Sequence, residues 1–121
     1  MIDHIGFEVA DLARSVAFYD AVFGALGGRR MHEGPHAVAY GTTHPEVWFV
    51  VRGRRPEPGY GHLALRARGR AAVGGAHRAA LVSGGTDDGA PGLRTQYGPL
   101  YYAAYVRDPD GLRIEFVSGS R

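Results

Sequence analysis

Asp3-His4-Ile5-Gly6-Phe7-Glu8-Val9 and Gly61-His62-Leu63-Ala64-Leu65-Arg66-Ala67 are two copies of one pattern, and each runs into a helix-like stretch that ends in Gly-Gly. The offset from His4 to His62 matches, to within a single position, the offset from Gly27-Gly28 to Gly84-Gly85. The chain is a tandem duplication. In each copy apolar residues alternate with polar or small ones, as in a strand buried on one face. Ile5, Phe7 and Val9 share the inner face of the first copy, and Leu63, Leu65 and Ala67 that of the second. His4, Gly6 and Glu8, and in the second copy His62, Ala64, Arg66 and Arg68, point the other way.

Working outward, Asp11 has the chemistry of a helix N-cap, and Leu12, Val16, Tyr19, Phe23 and Leu26 recur at helical spacing up to Gly27-Gly28. Short β-rich runs follow at Ala37 to Tyr40 and Val47 to Val51, separated by the turn-like Gly41 to Pro45. The first unit reads βαββ, with room for one more strand. Arg52 to Gly61, with its prolines and glycines, is the linker. The second unit repeats the order: a strand at His62 to Arg68, a weaker helix from about Ala71 to Val82, a Gly/Pro-rich loop at Gly84 to Gly98, and strands at Tyr101 to Arg107 and Leu112 to Val117. This gives one α+β domain over residues 1–121, with module 1 at about 1–52, a linker at about 53–60 and module 2 at about 61–119.

Asp108-Pro109-Asp110-Gly111 joins the last two strands, and its residues suit a type I turn closed by a left-handed glycine. Pairing Asp108 with Leu112 sets Tyr105 opposite Glu115, so that Tyr101, Ala103, Tyr105, Arg113, Glu115 and Val117 share one face while Ile114 and Phe116 face the helix. His4, His62 and Glu115 therefore all project away from the helices. Two imidazoles and a carboxylate form a donor set for a divalent ion, and Fe, Mn, Ni, Co and Zn all suit it.

Composition narrows the classes further. The 121 residues allow one compact core, and the absence of cysteine excludes disulfides and thiolate ligands. All 14 basic residues are arginine, the formal charge is only +2, and the arginines are interspersed with acids. Nucleic acid is not an expected partner. An anionic small molecule suits the guanidinium groups. The N-terminus lacks the basic and apolar regions of a signal peptide and no apolar run is long enough to span a bilayer, so a cytoplasmic protein without a membrane partner is expected.

The opening strand with His4, the stretch Asp11-Leu-Ala-Arg-Ser-Val-Ala-Phe-Tyr-Asp20, the Gly61-His-Leu-Ala-Leu65 start and Asp108-Pro-Asp-Gly-Leu-Arg-Ile-Glu-Phe116 resemble the vicinal oxygen chelate superfamily, and nearly the whole chain is covered. That group contains glyoxalase I, extradiol dioxygenases, methylmalonyl-CoA epimerase, fosfomycin-resistance proteins and bleomycin-binding proteins. The resemblance implies two tandem βαβββ modules whose curved mixed sheets enclose a cleft, metal ligands at His4, His62 and Glu115, and a homodimer whose ligands come from two subunits if modules pair between chains. It also implies a lyase, isomerase or dioxygenase acting on a small oxygen-chelating substrate, or else a non-catalytic protein that binds a metabolite or antibiotic. With Val-Trp-Phe-Val laid on Arg-Ile-Glu-Phe, the glyoxalase I ligand on the last strand of the first module falls at Phe49. That argues against the glyoxalase I reaction, because phenylalanine neither binds metal nor moves a proton. The threonine expected two residues after the first ligand in fosfomycin-modifying proteins is Gly6 here.

Around this set, Glu115, Tyr105 and Glu8 are the candidate proton-handling groups, and Phe49, Arg66, Tyr101 and Tyr105 the candidate substrate contacts. Val47 and Val51 are expected beside Phe49 in the cleft, and Trp48 on the opposite, core face. His32, His36, His44 and His77 read as bystanders in loops or on a helix.

Overall fold

A computed structural model describes residues 1–57 and 59–120; Pro58, in the expected linker, and Arg121 lie outside the described residues. The elements run β1 (Ile5–Val9), α1 (Leu12–Ala25), β2 (Arg29–Glu33), β3 (Ala37–Gly41), β4 (Val47–Val51), β5 (His62–Arg66), α2 (Arg70–Val82), β6 (Thr86–Leu93), β7 (Tyr102–Arg107) and β8 (Arg113–Ser118). Each half is βαβββ and forms its own mixed four-stranded sheet, ordered β1-β4-β3-β2 and β5-β8-β7-β6. The two sheets do not close on each other, and β1 and β5 are both edge strands.

Two strands escape the hydrophobic pattern. β2 is Arg-Arg-Met-His-Glu, largely polar and bulged between Arg30 and His32, so no alternation of apolar residues announces it. β6, Thr-Asp-Asp-Gly-Ala-Pro-Gly-Leu, falls inside the segment read as a loop. It is an edge strand whose register shifts twice along β7, and Pro91 falls within the second shift, where its missing N–H does no harm. In both cases pairing to an apolar neighbour, not intrinsic preference, makes the strand.

α1 obeys its end signals, and α2 does so at its C-terminus, whereas its N-terminus at Gly69 has no side-chain cap. The Asp11 side chain accepts from the Arg14 N–H at 3.0 Å. At the other end Gly28 N–H reaches the Phe23 carbonyl and Gly27 N–H that of Gly24, with Gly27 at φ +83°, a Schellman cap. α2 ends alike, with Gly84 at φ +104° and Gly85 N–H on the Ala80 carbonyl, so the duplication extends to the caps. The buried face of α1 is Ser15, Phe18, Tyr19, Val22 and Phe23, with Leu12, Val16 and Leu26 packed half-buried beside it.

α1 packs on α2, and one apolar cluster runs through both modules, from Val9, Tyr40 and Phe49 to Val106, Ile114 and Phe116. The Asp-Pro-Asp-Gly turn adds polar links between them. Asp108 caps its own turn by accepting from the Asp110 and Leu112 N–H groups at 2.9 and 2.8 Å. It also accepts the Tyr19 hydroxyl at 2.6 Å, and burial holds its carboxyl above the usual aspartate range. Asp110 takes the Ala10 N–H and the Arg14 guanidinium at the start of α1. No helix of the described residues is long and apolar enough to cross a membrane.

Candidate functional site

The turn delivers the expected register. Asp108 and Leu112 close it, Gly111 sits at φ +92°, and Tyr105 pairs with Glu115 across β7 and β8. Tyr101, Ala103, Tyr105 and Val117 form a small buried cluster on the Glu115 face. Glu115 itself is only 3% exposed. A carboxylate that far from water needs partners, and it has them. Tyr105 donates to Oε1 at 2.5 Å, and Tyr101 donates to both oxygens at 3.0 and 3.1 Å. Oε2 faces Nε2 of His62 at 3.7 Å. Burial and the bond to Glu115 push the Tyr105 hydroxyl well above the ordinary tyrosine range, so it stays protonated and acts as a donor. Its ring is covered by Arg113 at 4.0 Å and Arg94 at 5.6 Å, and Arg113 is held in turn by Asp88 at 2.8 Å.

His62 and Glu115 open, with Arg66, Tyr101 and Val117, onto a cleft of about 570 Å³. Arg66 is exposed and donates to the Gly119 carbonyl at 2.9 Å. The separation of His62 and Glu115 fits a shared cation. Two donors each ~2.1 Å from an ion stand about 3.0 to 3.5 Å apart at right to tetrahedral angles, and 3.7 Å is reached by opening that angle slightly.

His4 stands just before β1, at the start of the edge strand of the other sheet. Its Nδ1 meets Asp3 at 2.6 Å, which lowers the Asp3 carboxyl, and its ring stands edge-on to Trp48 at 6.3 Å. Among the described residues no three of His, Cys, Asp and Glu form a metal-holding group, so the fold brings His62 and Glu115 together and leaves His4 apart within one chain. Glu8 is elsewhere again, clamped by Arg54 at 2.9 Å and Arg52 at 3.1 Å in the segment after β4. The Arg54 hydrogen bond is the main cause that lowers its carboxyl, making it a weak base.

Phe49 requires a correction. It is fully buried and stacks on Tyr19 at 3.8 Å between centroids, so it faces α1 and cannot line the cleft. Trp48 is the residue on the His4 face, with His32 at 4.9 Å and His4 beside it, and not in the core. The registers show why. Gly6 pairs with Trp48 and Ala64 with Glu115, each two positions after its histidine. Phe7 pairs with Phe49 and Leu65 with Phe116, so Phe49 corresponds to Phe116. The counterpart of Glu115 is therefore Trp48, one position before the expected Phe49. Ile5, expected inside, is 41% exposed and lines, with Phe23, Leu26, Leu63 and Leu65, a mixed cleft between the two modules that also carries His4, Glu46 and Arg66. His77, read as a bystander, is buried and bonded to Asp87 at 2.9 Å, tying α2 to β6.

No curated protein matches the chain significantly. Among solved structures, a glyoxalase/bleomycin resistance protein from Albidiferax ferrireducens is 28% identical, with 94% of each chain covered and a TM-score of 0.82. The fosfomycin resistance protein of Mesorhizobium loti shares the fold at 19% identity, covering 99% of this chain and 92% of its own, with a TM-score of 0.73. A variant of the fosfomycin resistance protein of Listeria monocytogenes, solved with Mn(II) and a dihydroxypropylphosphonic acid, does so at 18% identity, covering 99% and 90%, with a TM-score of 0.74. A family model described as Glyoxalase/Bleomycin resistance protein/Dioxygenase superfamily matches residues 1–116. The chain belongs to that superfamily.

Proposed function

We propose that this protein is a divalent-metal-dependent enzyme, a lyase, isomerase or dioxygenase, acting in the cytoplasm on a small substrate that presents two neighbouring oxygens. The observation that carries the reading is Glu115: a deeply buried carboxylate fixed by two tyrosine hydroxyls, with one oxygen turned toward His62. His62 and Glu115 would hold the ion, and His4 of a second copy would complete the set. β1 and β5 are edge strands, and among the described residues His4 does not join Glu115 within its own chain. When bound, the ion supplies Lewis acidity toward the substrate oxygens.

The chain's own groups divide the remaining work. Tyr105, with the short bond and a hydroxyl that keeps its proton, fixes the direction of Glu115. Tyr101 holds the same carboxylate through two longer bonds, so its hydroxyl is the one that turns more readily toward a substrate oxygen. Arg66, at the mouth, would pair with an anionic substituent. Glu8 sits too firmly between its arginines to be the first choice as base. Trp48, standing where the symmetry of the modules calls for a second carboxylate, favours the rival reading of a non-catalytic binding protein.

Complementation decides the matter. His4→Ala and His62→Ala variants should each fail to take up Mn(II) or Zn(II), and mixing them through unfolding and refolding should restore about one ion per four chains, because only mixed dimers hold one intact site. Uptake unaffected by His62→Ala removes the metal reading. Loss in both variants without rescue removes the two-subunit site.

A further inference from the structure

The rows that carry Glu115 and Trp48 differ in kind. In module 2 the residues paired side by side across the sheet are Gly89, Tyr105, Glu115 and Ala64. The corresponding row of module 1 is His32, Ala39, Trp48 and Gly6. The indole thus has a methyl group on one side and no side chain on the other, and a Cβ added at Gly6 would come only within 4.0 Å of the Trp48 Cβ. The His32 ring, across Ala39, leans on the indole at 4.9 Å and 41°. His4 borders the far side, and a cleft lined by Asp3, His4, His44, Pro45 and Trp48 opens there. Core packing does not explain this tryptophan, since Phe49 and Tyr40 fill the core beneath the same sheet. An indole bordered by Ala39 and Gly6, half-buried and with His4 beside it, is a flat apolar surface.

We infer that Trp48, braced by His32, is a stacking platform that selects substrates carrying a flat conjugated group beside their paired oxygens. This deepens the proposed function and rests on it: module 2 receives the oxygens and module 1 receives the planar body. An aliphatic substrate would leave the indole uncovered, whereas a conjugated one gains an aromatic contact worth up to about tenfold in affinity.

Trp48 is the only tryptophan in the chain, so its emission reports this position alone. The probes are benzoylformate and pyruvate, which share the keto-carboxylate oxygens and differ in the ring, titrated with and without Zn(II) and followed by emission and calorimetry. Benzoylformate should quench Trp48 saturably and bind about tenfold more tightly than pyruvate. Trp48→Leu should erase that preference while pyruvate affinity and Zn(II) uptake stay as in the parent, and Trp48→Phe should keep part of it. Equal affinities in the parent, no quenching, no binding of either probe, or a preference that survives Trp48→Leu each overturns the platform. A ring preference in protein that takes up no metal supports the platform and overturns only the metal reading.

Discussion

Replacing Phe49 by alanine tests the register that puts Trp48, and not Phe49, on the face of His4. The side chain is fully buried, stacked on Tyr19 at 3.8 Å and flanked by Tyr40 and Phe7, each with its ring centre 6.1 Å away. Withdrawing the ring forfeits about 2–3 kcal/mol of transfer free energy. Lost ring–ring contact adds about 0.5–1.5 kcal/mol, and the unfilled cavity brings the total to about 3–5 kcal/mol. A domain of this size has a total stability of roughly 6–18 kcal/mol, so the variant should fold. With a urea slope of about 2 kcal/mol per molar, its midpoint should drop by roughly 2 M. Unfolding followed by far-UV circular dichroism measures this, and an unchanged slope confirms that both proteins unfold from the same kind of native state. Trp48→Ala is the comparison. Half-buried on the open face, it should lose less than about 2 kcal/mol. A Phe49→Ala loss below about 1 kcal/mol, or one smaller than that of Trp48→Ala, would refute the assignment and return Phe49 to the cleft.

Tyr105→Phe removes the 2.5 Å bond that orients Glu115, and metal affinity measured against a chromophoric chelator should fall by about 10- to 100-fold with little change in fold. Unaltered affinity would mean that the orientation is set elsewhere. Asp87 is the acid counterpart. The His77 hydrogen bond is the largest cause holding its carboxyl below the ordinary 3.8, so the unfolded chain binds the proton more readily than the native one. Its contribution is present above that value and lost as the pH falls through the native pKa. Asp87→Asn should accordingly be less stable than the parent near neutral pH, with the gap in urea midpoint closing below pH 3.8; a gap constant with pH would sink the argument.

The parts of this fold that announce themselves are those where local chemistry and tertiary burial agree. The Gly-Gly pairs end helices because a left-handed residue is required there, and Gly27 and Gly84 adopt it. The turn at Asp108 fixes the Tyr105–Glu115 pairing because its length leaves one register. β2 and β6 are silent because polar edge strands take their conformation from a neighbour. Phe49 is the instructive failure. Superposing Val-Trp-Phe-Val on Arg-Ile-Glu-Phe sets Phe49 against Glu115, yet sliding the match by one position lays phenylalanine on phenylalanine and puts both aromatic rings under helices. Period-2 alternation punishes a one-residue slip by reversing every side chain. The distance between His4 and the His62–Glu115 pair is illegible for a different reason. Alternation reports which face of a sheet a residue occupies and says nothing of where two sheets stand relative to each other.

How the two modules sit together depends on their helices. Within one chain they are fastened through α1 and α2, and the fastening is polar as well as apolar: Tyr19 on Asp108, and Ala10 and Arg14 on Asp110. Asp108 is buried and its carboxyl already raised, so parting Tyr19 from it would strand a polar group that water cannot reach. The hairpin turn that registers Glu115 is thus also the clasp that holds module 1 by its helix. A movement of module 1 that brought His4 to Glu115 within the same chain would have to open that clasp and slide two packed helices. Bringing up the edge of a second copy breaks neither. The sequence element that looks most like a simple turn is therefore one physical ground for the proposal that the site is built between subunits.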